Sequence, residues 1–102
     1  MKMKIKKSVL VEALKVLGKV VSQTSPVEVQ RSVRVLGVGE QVWLAATDGV
    51  ESVMVEVIGD AGEMEDFAVE YKALRELIRS TRGGEVEVTG KRLDWPETEV
   101  VP

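Results

Sequence analysis

The sequence predicts an α+β domain, with two amphipathic helices packed on antiparallel β-sheet of about six strands. Three observations predict it. Two segments carry apolar residues at helical spacing, while shorter runs alternate apolar and polar residues with the period of a strand. Three of those runs follow one another across turn signals, the pattern of an antiparallel meander, and strands do not alternate with helices as a parallel doubly wound sheet requires. The apolar residues are mostly valine, with aromatics at only 4%, a composition that suits packed sheets. At 102 residues the chain fits one domain spanning 1–102.

Met1 to Lys6 alternates Met1, Met3 and Ile5 with Lys2, Lys4 and Lys6, which predicts a strand with one buried face. Ser8 can cap a helix. From Val9 the period changes: Val9, Leu10, Ala13, Leu14, Leu17, Val20 and Val21 share one face, and Ser8, Glu12, Lys15 and Lys19 the other. Gly18 inside this helix costs up to about 1 kcal/mol relative to Ala, so close backbone packing is the expected reason for it. Ser22 to Pro26 is a loop by composition.

Ser32 to Val38, Gln41 to Thr47 and Val50 to Ile58 read as three strands, divided by a glycine turn and by Asp48-Gly49. Val53, Val55 and Val57 share one face of the third. Gly37-Val38-Gly39 lacks the third glycine and the following helix of a phosphate loop, so a hairpin turn is expected there. Beyond the loop Gly59 to Gly62, Met64 to Glu70 is a shorter strand holding Phe67 and Val69. Tyr71 to Arg82 is the second helix. Leu74, Leu77, Ile78 and Thr81 face in, and Lys72, Arg75, Glu76, Arg79 and Arg82 face out. Gly83-Gly84 stops it. Glu85 to Thr89 is a further strand, and Gly90-Lys91-Arg92 is a turn. The tail from Leu93 to Pro102 holds Pro96 and a short Val100-Val101 run. No fixed-period repeat is visible.

The composition excludes most catalytic chemistry. There is no Cys and no His, so no thiolate, no disulfide framework, and none of the side chain that most readily moves protons near neutral pH. Ser8, Ser22 and Ser25 have no His to activate them. Asp60, Glu63, Glu65 and Asp66 cluster in a loop without calcium-loop spacing, and Asp48 and Glu51 flank a turn. Solubility explains both. No enzyme activity, metal or cofactor is expected. No apolar run approaches a membrane span, and the basic N-terminus leads into an amphipathic segment and not into an apolar signal core. A reducing cytoplasm fits the absence of Cys.

The net charge of −3 is unevenly spread. Residues 6–22 carry +3 and residues 71–82 carry +3, leaving −9 on the remainder. An acidic body with two basic helices has a dipolar field that attracts phosphate on one side. No base-reading motif is present, so any contact is to the nucleic-acid backbone, without sequence preference.

Three stretches resemble the β subunit of bacterial DNA polymerase III, the DNA sliding clamp. Leu44-Ala45-Ala46-Thr47-Asp48-Gly49, followed by an alternating strand, is similar to that family's "ATDG" turn. Phe67-Ala68-Val69-Glu70, then Leu74, Leu77, Ile78 and Arg79, then Gly83-Gly84 and Val86-Glu87-Val88, resembles its strand–helix–strand segment. Trp95-Pro96 through Val100-Val101-Pro102 resembles the close of its middle domain. The resemblance spans nearly the whole chain. A strand pair that the family carries after the Val86 strand is nearly absent, with Gly90-Lys91-Arg92-Leu93-Asp94 in its place.

The resemblance implies a DNA-clamp-like domain whose helices face duplex DNA, through Lys15 and Lys19 on the first and Lys72, Arg75, Arg79 and Arg82 on the second. It implies a processivity factor in DNA replication, assembled from several copies, six being the number of domains around DNA in the family. DNA polymerase or other clamp-binding proteins would be the partners. A partner-peptide pocket would lie at Thr47, Gly49, Val50 and Val100. Glu51 stands where the family often has a basic residue and would change which peptides bind. The alternative is a reduced clamp relative that acts as a protein-interaction or regulatory module without DNA.

Overall fold

The computed structural model describes residues 2–38, 41–57, 66–93 and 95. The elements run β1 (Lys2–Lys6), α1 (Lys7–Leu17), α2 (Glu28–Arg31), β2 (Ser32–Val38), β3 (Gln41–Thr47), β4 (Ser52–Val57), β5 (Phe67–Glu70), α3 (Tyr71–Ser80) and β6 (Glu85–Thr89). They form an antiparallel four-stranded sheet, β4-β3-β2-β5, and an antiparallel pair, β1-β6. The architecture is the expected α+β one.

β2, β3 and β4 form the meander that their turns predict. The other pairings are long-range. β5 fills the free edge of β2, with Val33 opposite Val69 and Val35 opposite Phe67. β6 pairs with β1, with Ile5 opposite Val86 and Met3 opposite Val88. Two strand–helix–strand units, β1-α1-β2 and β5-α3-β6, thus exchange strands. Their junctions match: Lys6 (φ −62°, ψ 132°) and Glu70 (φ −61°, ψ 137°) each lead a strand straight into a helix with no side-chain cap.

One face of each strand builds a single core. Ile5, Leu10, Leu17, Val33, Val35, Val42, Phe67, Leu74 and Val86 are all almost fully buried in it. On the other face of β1-β6, Lys4 stands opposite Glu87 and Lys6 opposite Glu85. Opposite charges directly across a ladder contribute roughly 0.2–1 kcal/mol each. A one-residue slip would lose these pairs and turn the apolar set out of the core.

Several boundaries differ from the sequence reading. α1 begins at Lys7 with Lys6, the last residue of β1 as expected, in the capping position, so Ser8 is not the cap. α1 ends at Leu17, and Gly18 is its C-cap, not an interior residue. Tyr71 accounts for the glycine: its Oη donates to the Leu14 carbonyl at 3.1 Å. A Cβ on Gly18 would lie 2.6 Å from that Oη. Val20 and Val21 follow in turns, half-buried against the core. α3 stops at Ser80, because Lys7 Nζ donates to the Thr81 carbonyl at 2.7 Å and Lys7 N to the Gly84 carbonyl at 2.9 Å. A cation at a helix C-terminus is favourable for both hydrogen bonding and the macrodipole.

α2 was not expected. It is one turn, held by Ser32 Oγ donating to the Glu28 carbonyl (2.8 Å) and by Arg31 Nη1 donating to the Ser25 carbonyl (2.7 Å). β4 begins at Ser52 because Gly49 and Val50 belong to the preceding bend. The strand expected over Met64–Glu70 spans Phe67–Glu70 among the described residues. Pro96 and the Val100-Val101 run lie outside them.

The expected Gly90 turn is a strap. Ala68 and Lys91 exchange two backbone hydrogen bonds, at 2.8 and 3.1 Å, across the open side of β5. Lys91 Nζ bonds Glu28 Oε2 at 2.9 Å, and the Arg34 guanidinium lies 5.9 Å from the Trp95 ring centroid. The segment that follows β6 therefore crosses to the other sheet and closes its edge. Among the described residues, no helix is long and apolar enough to cross a membrane.

Candidate nucleic-acid interface

α3 presents its cations because its apolar residues are used. Leu74 is buried and Leu77 and Ile78 half-buried, which turns Lys72, Arg75 and Arg79 out at i, i+3 and i+7, one stripe along the helix. The Tyr71–Leu14 hydrogen bond holds α1 alongside. Between the two helices runs an open groove of about 220 Å³, lined by Val11, Leu14, Lys15, Tyr71, Arg75, Ile78 and Arg79. Three of the six expected DNA-binding residues, Lys15, Arg75 and Arg79, thus rim one groove with an apolar floor.

Lys15 is paired with Glu12 at 3.0 Å on an exposed surface, an interaction worth little in water. Among the described residues, no carboxylate forms an ion pair with Lys19, Lys72, Arg75, Arg79 or Arg82. Arg75 and Arg79, unpaired along one side of the groove, raise its positive potential, which attracts anions at a cost in self-repulsion.

Lys19 and Arg82 are exposed but not helical. Lys19 follows the C-cap of α1, and Arg82 lies two residues past α3. The sequence reading placed both on helices because the helical period continues past the points where Gly18 and Lys7 end them. Lys6 and Lys7, counted with the first basic segment, serve the β1-β6 ladder and the end of α3 instead. Sequence reasoning did not single out Tyr71. A tyrosine at the first helical position directly after a strand is a signal that could have found it.

The Thr47-Asp48-Gly49 turn is self-contained. Thr47 is buried; its Oγ1 donates to the Glu51 carbonyl at 2.9 Å and accepts from Gly49 N at 3.1 Å. The Asp48 carboxylate accepts from Glu51 N (2.7 Å) and Val50 N (2.8 Å). Those backbone donors, Glu51 first, hold its pKa below the ordinary 3.8. Gly49 has φ 93°, a conformation that side chains resist. Val50 is 93% exposed at the tip. Of the four expected pocket residues, the structure brings Thr47, Gly49 and Val50 into one turn, and Val100 lies outside the described residues.

The loop carboxylates Asp60, Glu63 and Glu65 also lie outside the described residues, and Asp66 pairs with Arg34. Among the described residues, no three His, Cys, Asp or Glu side chains gather as a metal group would require.

No model of a known protein family matches this sequence, and no curated protein matches it. Solved structures do resemble it. A DNA polymerase III β subunit of Caulobacter crescentus superposes with TM-score 0.74 at 20% identity, over 87% of this chain and 24% of that one. The Helicobacter pylori β clamp bound to a DNA ligase peptide gives TM-score 0.74 at 15% identity, over 89% and 26%. A Pseudomonas aeruginosa sliding clamp bound to griselimycin gives 0.71 at 22% identity, over 87% and 25%. The chain spans about a quarter of the length of these structures. Similarity over nearly all of this chain shows that it has the α+β fold of a clamp-like domain.

Proposed function

We propose that this chain is a DNA-associating, clamp-like scaffold of DNA replication, not an enzyme, acting in the cytoplasm and binding duplex DNA through its phosphates. The gathering of Lys15, Arg75 and Arg79 on one groove of an otherwise acidic molecule carries the reading. Lys72 continues the stripe on α3, and Lys19 and Arg82 extend the cationic surface beyond the two helices. Such contacts read charge and not sequence, and their looseness suits movement along a duplex. Assembly of several copies would multiply the contacts. A polymerase or other clamp-binding protein would meet the exposed turn at Gly49 and Val50, supported by Thr47; Val100, the fourth residue of this expected pocket, lies outside the described residues.

The test is fluorescence anisotropy on short labelled duplexes of unrelated sequence. With Lys15, Arg75 and Arg79 each neutralising one phosphate, log K should fall with log salt at a slope of about −2.7, a loss of about 40-fold between 50 and 200 mM. The triple change Arg75→Glu, Arg79→Glu and Arg82→Glu should abolish association and leave the fold intact, since all three side chains are exposed. Unchanged DNA retention by that variant removes the role given to α3.

One observation favours a second reading, a reduced clamp relative that regulates or pairs with another protein without DNA. The sheet containing β6 has only two strands among the described residues, against four in its counterpart. Absence of salt-dependent DNA binding in the wild type would establish that reading over the first.

A further inference from the structure

The groove between α1 and α3 has a floor that its cations do not explain. Two long-range hydrogen bonds tie the helices at both ends. Lys7, at the start of α1, donates to the Thr81 carbonyl just past α3 (2.7 Å), and Tyr71, at the start of α3, donates to the Leu14 carbonyl near the end of α1 (3.1 Å). The helices therefore run in opposite directions, and the groove is formed before any ligand arrives. Lys15 rims one side, Arg75 and Arg79 rim the other, and Val11, Leu14 and Ile78 lie between.

Leu14 is buried, and Ile78 is half-buried against the core. Val11 is half-buried too, but among the described residues it neither forms the core nor packs against it. It also lines a second open hollow of about 470 Å³ beside Lys7, Ser8 and Gly84. Phosphate accounts for the rim but not for this floor. A space of about 220 Å³ does not admit a duplex, whose phosphates reach the rim alone. An apolar strip ringed by charge has instead the anatomy of a surface that binds protein.

We propose that this groove also takes an acidic peptide segment with apolar side chains, supplied by a partner protein, which occupies it in place of DNA. The competition rests on the DNA reading above; the binding of the peptide does not. Charge selects this occupant. Residues outside the two basic segments carry −9, so the body repels an acidic segment that the groove attracts. The floor selects further, because a purely polar acidic segment leaves Val11 and Ile78 uncovered. Lys15 is held by Glu12 in an exposed pair, weak enough for an incoming carboxylate to replace. From Tyr71 to Arg79 the helix rises about 12 Å, the length of about four residues of extended chain. Alternate side chains of such a chain face opposite ways, so one set meets the floor while carboxylates stand at the level of the long cationic side chains.

The probe is a fluorescein-labelled hexapeptide alternating Glu and Leu, titrated with the full chain and read by anisotropy without DNA. It should bind, and more weakly as salt rises. Replacing its Leu by Ser, or its Glu by Gln, should each weaken binding about tenfold. Arg79→Glu should do the same. Val11→Ser should weaken it about threefold to tenfold and keep the fold, as melting curves would show. The unlabelled peptide should displace a labelled duplex from the wild type. Absence of peptide binding overturns the proposal even where the duplex binds. So does equal binding of the Glu–Ser peptide, an affinity undiminished by Val11→Ser or Arg79→Glu, or peptide and duplex bound together. Peptide binding with no duplex binding at any salt overturns the DNA reading and upholds the peptide site.

Discussion

Replacing Gly90 with alanine probes the strap that follows β6. A Cβ at this position would lie 2.4 Å from Phe67 Cδ2, 2.5 Å from the Ala68 carbonyl oxygen and 2.8 Å from Val69 Cγ2. Phe67 is in the core and the carbonyl is backbone, so neither yields easily. Gly90 is not in a positive-φ conformation, so the cost is one of space. If the strap holds, overpacking costs roughly 1–3 kcal/mol. If it lifts, the two backbone hydrogen bonds between Ala68 and Lys91 are lost, at about 0.5–1.5 kcal/mol each. The smaller entropy of the unfolded alanine chain returns about 0.4–1 kcal/mol. The net loss is about 1–2 kcal/mol, which for a domain of this size lowers Tm by roughly 5–15 °C.

Thermal unfolding followed by circular dichroism measures that loss, and Gly83→Ala is its control. A Cβ on Gly83 meets nothing within 4 Å, so the same change there should leave stability equal or slightly higher. A Gly90→Ala protein as stable as Gly83→Ala would refute the strap as a tightly packed edge closure.

The remaining predictions concern the turn, the helix ends and the groove. Asp48 has a lowered pKa in the folded protein, so its stabilising contribution is present above its unfolded value and is lost as pH falls through the folded one. Below about pH 4 the wild type should therefore lose stability more steeply than Asp48→Asn, read from melting curves across the acid range; parallel curves would dismiss the role of the carboxylate. Gly49→Ala forces a side chain into φ 93° and to 3.0 Å from Gln30 Nε2, and should cost about 1–3 kcal/mol in chemical denaturation. Lys7→Met removes the donor to the Thr81 carbonyl and should destabilise by about 1 kcal/mol, with faster amide exchange at the end of α3. Tyr71→Phe removes the α1–α3 hydrogen bond; it should loosen the groove and weaken DNA association while Lys15, Arg75 and Arg79 stay in place, and unchanged affinity would show that the groove does not need that link.

What was legible in the sequence is what local patterns encode. Alternation along Ser52–Val57 and Glu85–Thr89, and the helical period of Leu10, Leu14 and Leu17, mark strands, helices and their inward faces, because side-chain direction follows from backbone geometry alone. The outward Arg75 and Arg79 follow from the same periodicity. Tertiary structure decided what depends on residues far apart in the chain. Nothing local says that β6 returns to β1 or that β5 lies beside β2, since a strand's edge accepts any partner whose pattern and charge agree. Matching Lys4 and Lys6 to Glu87 and Glu85 needs the partner to be known first. Helix ends were misjudged for the same reason. The apolar period runs on through Val20 and Val21, but Tyr71, brought in from the other unit, occupies the space beside Gly18, and Lys7 closes α3 before Arg82. The groove exists because those two long-range contacts set the helices side by side. Sequence periodicity supplied the cations, and the exchange of strands between the two units put Lys15 opposite Arg75 and Arg79.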